Sequence, residues 1–175
     1  MNIALIGNGN VSQALVPIIL NKNNKLFLFK RGNGFFEDQV FDKVYNDFFS
    51  VSSLKNIDVV IDMLGTNDEA IQISRKIIKD SLSNNKYVIT CNKKLMSRYG
   101  AELCDHAKNT NGHLYINSLV ASSVYYKKYP VYLSIDNFKE ISKNKDIFFY
   151  RGAGPHETAL SIYDEIIRIG KIHNE

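Results

Sequence analysis

The chain has 175 residues, 45% of them hydrophobic, and a net charge of +4, which suits one globular domain or one with a small appendage. Lys and Arg are scattered with no basic block, so nucleic acid is not an expected partner. The longest apolar runs are strand-length and the N-terminus lacks a signal-peptide pattern, so the sequence points away from membranes and toward the cytoplasm.

Asn2 to Ile6 is a short apolar run of the kind a buried parallel strand makes. Gly7-Asn8-Gly9-Asn10-Val11-Ser12 follows at once, and then an apolar-periodic stretch to about Asn21 that predicts a helix. Strand, glycine turn and helix open a dinucleotide-binding βαβ unit. Gly7 lets the chain turn off the strand, and Gly9, lacking Cβ, lets backbone approach a pyrophosphate. The helix starting near Asn10 points free N–H groups and its positive dipole end at that anion, with Val11 in the same turn. Ser12 stands at the third glycine position, where a small residue suits helix–strand packing. Pro17, inside the helix, removes one N–H and is expected to kink it.

Lys22-Asn23-Asn24 reads as a turn and Lys25 to Phe29 as the second strand. An NAD-binding unit usually places an acidic residue at this strand end for the ribose 2′-hydroxyl. Here Lys30-Arg31-Gly32 stands instead, and Arg31 is able to hold a 2′-phosphate bidentately, so NADP is expected over NAD. The plainer reading is a solvated strand end that happens to be basic. The aromatic stretch to Val51 is expected mostly to fill core, with a short helix over Asp42 to Asp47.

Ile57 to Met63 predicts the next strand, followed by the turn Leu64-Gly65-Thr66 and a helix from about Asp68 to Asn84. In an open α/β sheet this carboxyl end lies beside the first, at the switch point where ligands bind. Lys86 to Thr90 is the fifth strand, and a helix is expected from about Leu95 to Asn109. Between them, Asn92 and Lys93 can face the same crevice. A lysine there can hold a carboxylate or donate a proton to a nascent alkoxide, and it can equally be a surface residue that begins a helix. His113 to Ala121 predicts a sixth strand. Cys91 and Cys104 form no CxxC pair and read as reduced thiols, and Cys104-Asp105-His106 face different ways on one helix turn, so no metal site is expected.

Several stretches, in order, resemble the nucleotide domain of the homoserine dehydrogenase family. Val59 to Thr66 (VVIDMLGT) is similar to that family's VVVDLTGT. Tyr87 to Leu95 (YVITCNKKL) and Tyr99 to Leu103 resemble VVTANKALLA..YG.EL. Arg151 to Ala159 resembles GAG..PTA, and the following helix, Leu160 to Lys171, carries Asp164 and the Ile166 to Ile169 run, as the family's DIIRIA does. The resemblance implies a single doubly wound, mostly parallel Rossmann-type α/β domain. Residues 1–121 would form the dinucleotide-binding core, 122–150 a shortened connector, and 151–175 a GAG turn and helix packing back on the core.

The resemblance also implies NAD(P)-dependent interconversion of L-homoserine and L-aspartate 4-semialdehyde. Lys93 would carry proton transfer or substrate orientation. Gly7, Gly9, Asn10, Val11, Lys30, Arg31, Leu64, Gly65, Thr66, Asn92, Gly152, Ala153 and Gly154 would hold the cofactor. The family pattern is broken where the sixth strand should end in YEASVAGGIP. Asn117 replaces the Glu associated with a cation, Ser122 and Ser123 replace two glycines, and Tyr125 replaces the proline. The substrate and dimerisation domain that follows in the family is absent between Ala121 and Arg151, a span too short for a domain of about 50 residues or more. Two readings therefore stand: an oxidoreductase acting alone, as a homodimer or with a partner chain that completes its site, and a non-catalytic NADP-binding sensor or scaffold.

Overall fold

A computed structural model describes residues 1–20, 22–32, 38–116, 124–125, 148–149 and 154–173. β1 (Asn2–Ile6) is apolar from Ile3 onward, and all four of those side chains are fully buried. A strand buried on both faces needs such a run, because helices cover both sides of a parallel sheet. Five further strands join it: β2 (Lys25–Phe29), β3 (Lys43–Tyr45), β4 (Val59–Asp62), β5 (Tyr87–Thr90) and β6 (His113–Tyr115). The sheet order is β3-β2-β1-β4-β5-β6, with every neighbouring pair parallel. This is the doubly wound Rossmann-type arrangement, and its order reverses between β1 and β4. A separate antiparallel pair is formed by β7 (Val124–Tyr125) and β8 (Phe148–Phe149).

Alternate residues of each strand serve two cores. Ile3 and Leu5 face one layer with Leu26, Leu28, Val59, Ile61 and Ile89. That layer is closed by α1 (Asn10–Ile19) through Leu15, Val16 and Ile19, and by α4 (Pro155–His173) through Ala159, Ile162, Ile166 and Ile169. Ala4, Ile6, Phe27, Phe29, Val60 and Val88 face the other layer, under α2 (Asp68–Ser83) and α3 (Lys93–Lys108). On the outer surface of that layer Glu102 accepts from Arg75 and Lys79, and these hydrogen bonds hold its carboxyl down to about 2.

The elements deviate from expectation in five places. The helix expected over Asp42 to Asp47 is instead the strand β3, with 3-10 turns at Asp38–Val40 and Phe49–Ser53. Its cause is non-local. The Asp42 carboxylate accepts from Leu26 N at 2.7 Å while Asp42 N donates to Leu26 O at 2.9 Å, which pins the segment along β2. α1 runs through Pro17 as one helix and ends at Ile19. α3 begins two residues earlier than expected, at Lys93, because Asn92 caps it. α4 begins at Pro155, a residue whose missing N–H suits a first helical turn. The strand expected over His113 to Ala121 is seen as His113–Tyr115, and positions 117–121 lie outside the described residues. Of the aromatic stretch, Phe41 and Phe48 are buried and Tyr45 stacks on Phe29 with ring centroids 4.6 Å apart, whereas Phe49 is exposed.

Candidate functional site

The carboxyl ends of β1 and β4 are neighbours in the sheet, so the turns that leave them flank one crevice. Gly7 takes φ +104°, and a Cβ there would lie 3.0 Å from Met63 O, so both backbone conformation and space demand glycine. Gly7 N donates to Phe29 O at 2.9 Å, tying the turn to β2 as well. Gly9 differs: its φ is −104° and a Cβ there would meet nothing within 4 Å. Its lack of a side chain therefore serves no contact within the protein, and it leaves open the space a ligand backbone would use. Ser12 is fully buried, and its hydroxyl donates to Gly7 O at 2.8 Å. At the third glycine position it thus braces the turn as well as being small.

α1 receives no side-chain cap at Gly9 and carries no acidic residue in its first turn. Its N-terminal N–H groups and dipole favour an anion. α2 and α3 are capped by Asn67 and Asn92, which accept from Ala70 N at 2.8 Å and Leu95 N at 3.1 Å. Asn10 is exposed and Val11 half-buried at the start of α1.

The facing turn is held by a buried network. Asp62, fully buried at the end of β4, accepts from Ser74 Oγ at 2.7 Å, Thr90 Oγ1 at 2.9 Å and Leu64 N at 3.3 Å. Burial pushes its carboxyl above the ordinary value, against the opposing effect of those hydrogen bonds. Thr90 Oγ1 in turn accepts from Asn92 N, and Asn92 Nδ2 donates to Gly65 O at 3.2 Å. Lys94 Nζ donates to Thr66 O at 3.0 Å. Leu64 is half-buried against the core, while Gly65 and Thr66 are exposed. Asn92, read from sequence as a cofactor contact, is 3% exposed, with both ends of its amide engaged in holding this turn and capping α3.

Lys93 is the first residue of α3, at the carboxyl end of β5, and desolvation lowers its pKa while Cys91 opposes that shift. The Cys91 thiol is pushed up to about 12, chiefly by burial, which keeps it protonated and unreactive. Lys30 and Arg31 stand at the end of β2, each already paired: Lys30 with Asp38, and Arg31 with Glu69 at 2.8 Å. Arg31 also lies over the Phe48 ring, 5.3 Å from its centroid. The Arg31 pair is exposed on both sides, so its strength is low. Sequence reading saw no acid at this strand end, since Asp38 and Glu69 arrive from other parts of the chain. Gly154 precedes α4, which packs on α1; Gly152 and Ala153 lie outside the described residues. Among the described residues no group of three or more His, Cys, Asp or Glu side chains comes together to hold a metal, and no helix is long and apolar enough to cross a membrane.

The sequence family described as "Homoserine dehydrogenase, NAD binding domain" matches residues 7–117. The chain belongs to this family. Homoserine dehydrogenase of Bacillus subtilis strain 168 is 26% identical over 140 residues, covering 71% of this chain and 31% of that protein. That of Corynebacterium glutamicum is 31% identical over 78 residues, or 45% of this chain and 17% of that protein. The chain thus spans about a third or less of these relatives. A Staphylococcus aureus homoserine dehydrogenase structure superimposes with a TM-score of 0.57 at 20% identity, over 70% of this chain and 33% of that one. A hyperthermophilic archaeal homoserine dehydrogenase solved in complex with NADPH does so at 0.52 and 24%, over 69% and 44%. These structures share the fold. The span matched to the homoserine dehydrogenase NAD-binding domain holds both glycine turns, the β2 cations and Lys93; Gly154 falls beyond it.

Proposed function

We propose that the chain binds NADP(H) in preference to NAD(H) at the carboxyl ends of β1 and β4. In this reading it is the nucleotide half of a cytoplasmic homoserine dehydrogenase-type oxidoreductase. The observation that carries the reading is the pairing of an uncapped α1 N-terminus with the open space at Gly9. The residues present fit a dinucleotide. Gly9 and the first turn of α1 receive the pyrophosphate, Arg31 and Lys30 the 2′-phosphate, and Leu64 to Thr66 the opposite wall. When bound, the nicotinamide supplies a hydride acceptor or donor.

Lys93 then stands to orient an alcohol substrate and to move the proton at its oxygen. Its lowered pKa favours that exchange. Substrate positioning is worth about 7–11 kcal/mol of a barrier, and general acid–base help only about 10²–10⁴-fold. The span 122–150 is shorter than the substrate domain that would supply such positioning. That observation favours a second reading, a dinucleotide-binding module whose site is completed by another copy or another chain. Steady-state turnover of homoserine with NADP⁺ on wild type and Lys93→Ala tests both. Slow or undetectable turnover with retained NADP⁺ binding is expected. Robust turnover abolished by Lys93→Ala would establish a minimal dehydrogenase instead.

A further inference from the structure

Asn8 sits between the two glycines of the β1 turn, and neither its Nδ2 nor its Oδ1 has a hydrogen-bond partner among the described residues, although both atoms are buried. An asparagine in a tight turn ordinarily has one of two structural reasons. It hydrogen-bonds its own neighbouring backbone, or it tolerates a positive φ. Asn8 does neither: its amide makes no bond, and the non-glycine residues at positive φ among those described are Asn23 and Asn85. A buried amide left unsatisfied destabilises the ligand-free fold, so Asn8, in the turn that flanks the crevice, calls for a partner that none of the described residues supplies.

We propose that the Asn8 amide is a specificity-determining contact for the dinucleotide, offering one donor and one acceptor to a ligand group that carries both. A ribose hydroxyl pair and a carboxamide have that chemistry. A phosphate does not, because its oxygens only accept at neutral pH; one would satisfy Nδ2 and set negative charge against Oδ1. The phosphate also has its own cradle in the N–H groups of α1 and the open space at Gly9. The inference rests on the dinucleotide reading above and adds to it which polar groups of the ligand this turn selects.

The test uses the full chain with Asn8→Leu, close to isosteric and apolar, and Asn8→Ala, which leaves no bulk to obstruct a ligand. Titration calorimetry with NADP⁺ and with inorganic pyrophosphate is combined with ligand-free thermal melting. The expected result is that both variants bind NADP⁺ about ten-fold more weakly, the loss of one good hydrogen-bonding group. Pyrophosphate binding is unchanged, and Asn8→Leu melts no lower than wild type. Loss of NADP⁺ affinity with a retained or raised melting temperature separates ligand recognition from turn architecture. The 3-acetylpyridine analogue of NADP⁺, which keeps the acceptor and loses the NH₂ donor, identifies the group. If only the wild type discriminates against it, the partner is the carboxamide; if wild type and variants respond alike, it is the ribose. Unchanged NADP⁺ affinity in Asn8→Ala, or an equal loss for NADP⁺ and pyrophosphate, overturns the inference and leaves the site reading intact. A wild type that binds neither dinucleotide overturns both.

Discussion

Two turns meet at the carboxyl edge of the sheet, one after β1 and one after β4. The β1 turn leads into a helix without a side-chain cap, past a glycine with empty space around it and an asparagine amide with no partner among the described residues. The β4 turn is bound by its own neighbours: Asp62 below it, Asn92 through Gly65 O and Lys94 through Thr66 O. The groups proposed to meet a ligand stand out here by what they lack among the described residues. Groups that position the crevice stand out by how fully they are engaged. Removing a group from the first turn should change binding with little effect on folding, and removing one from the second should do the reverse.

The largest effect is expected at Gly9. Gly9→Val should leave the fold intact, since a Cβ there meets nothing within 4 Å, and should abolish dinucleotide binding by filling the pyrophosphate space. Normal NADP⁺ titration of a folded Gly9→Val chain would break the comparison outright.

Asp62→Ala is the counterpart in the second turn. It removes the acceptor of the Ser74 and Thr90 hydroxyls in a buried site and should cost about 2–4 kcal/mol in urea unfolding. The raised pKa of Asp62 adds a pH signature. Its folded-state pKa lies above the ordinary 3.8, so the folded chain binds this proton more tightly than the unfolded chain does. The stability that this contributes is full at low pH and lost as pH rises through the native pKa. Asp62→Asn carries no such charge, so its stability relative to wild type should improve from below pH 4 toward neutrality. A difference that stays flat with pH would show that folding leaves the pKa of this carboxyl unshifted.

At the β2 end, Arg31→Ala should weaken NADP(H) by about 1.5–3 kcal/mol and barely alter NAD(H). Equal affinity of the wild type for the two cofactors would show that Glu69 keeps Arg31 for itself. The smallest effect is expected at Asn92. Asn92→Ala removes the α3 cap and the tie to Gly65 and should lower stability by about 1 kcal/mol.

The core strands, α2 and the glycine turn were legible in sequence because each rests on local chemistry. A continuous apolar run, an Asn cap and a GxG spacing are all short-range signals. The misread segments depend on partners far along the chain. The strand at Lys43–Tyr45 exists because Asp42 is pinned to Leu26. The pairing of Arg31 with Glu69 spans 38 residues. Asn92 carried a true signal, the cap, beside a reading as cofactor contact; its tie to Gly65 could not be seen without the fold. Asn8 was passed over because an orphaned amide is a property of three-dimensional burial, and no spacing encodes it.

The helix α4 has a consequence for how this chain tolerates change in length. Its Ala159, Ile162, Ile166 and Ile169 complete the same core layer as α1, although almost the whole chain separates the two helices. The domain is therefore closed by a late segment, and the connection from β6 to α4, which includes β7 and β8, is anchored in the core at both ends. The conformational entropy of closing such a loop grows only with the logarithm of its length, so a ten-fold longer connection costs roughly 2 kcal/mol more. A whole folded module can be inserted or deleted at that point while the nucleotide-binding core keeps its shape, so grafting a foreign domain between Tyr115 and Pro155 is the natural way to re-equip this chain.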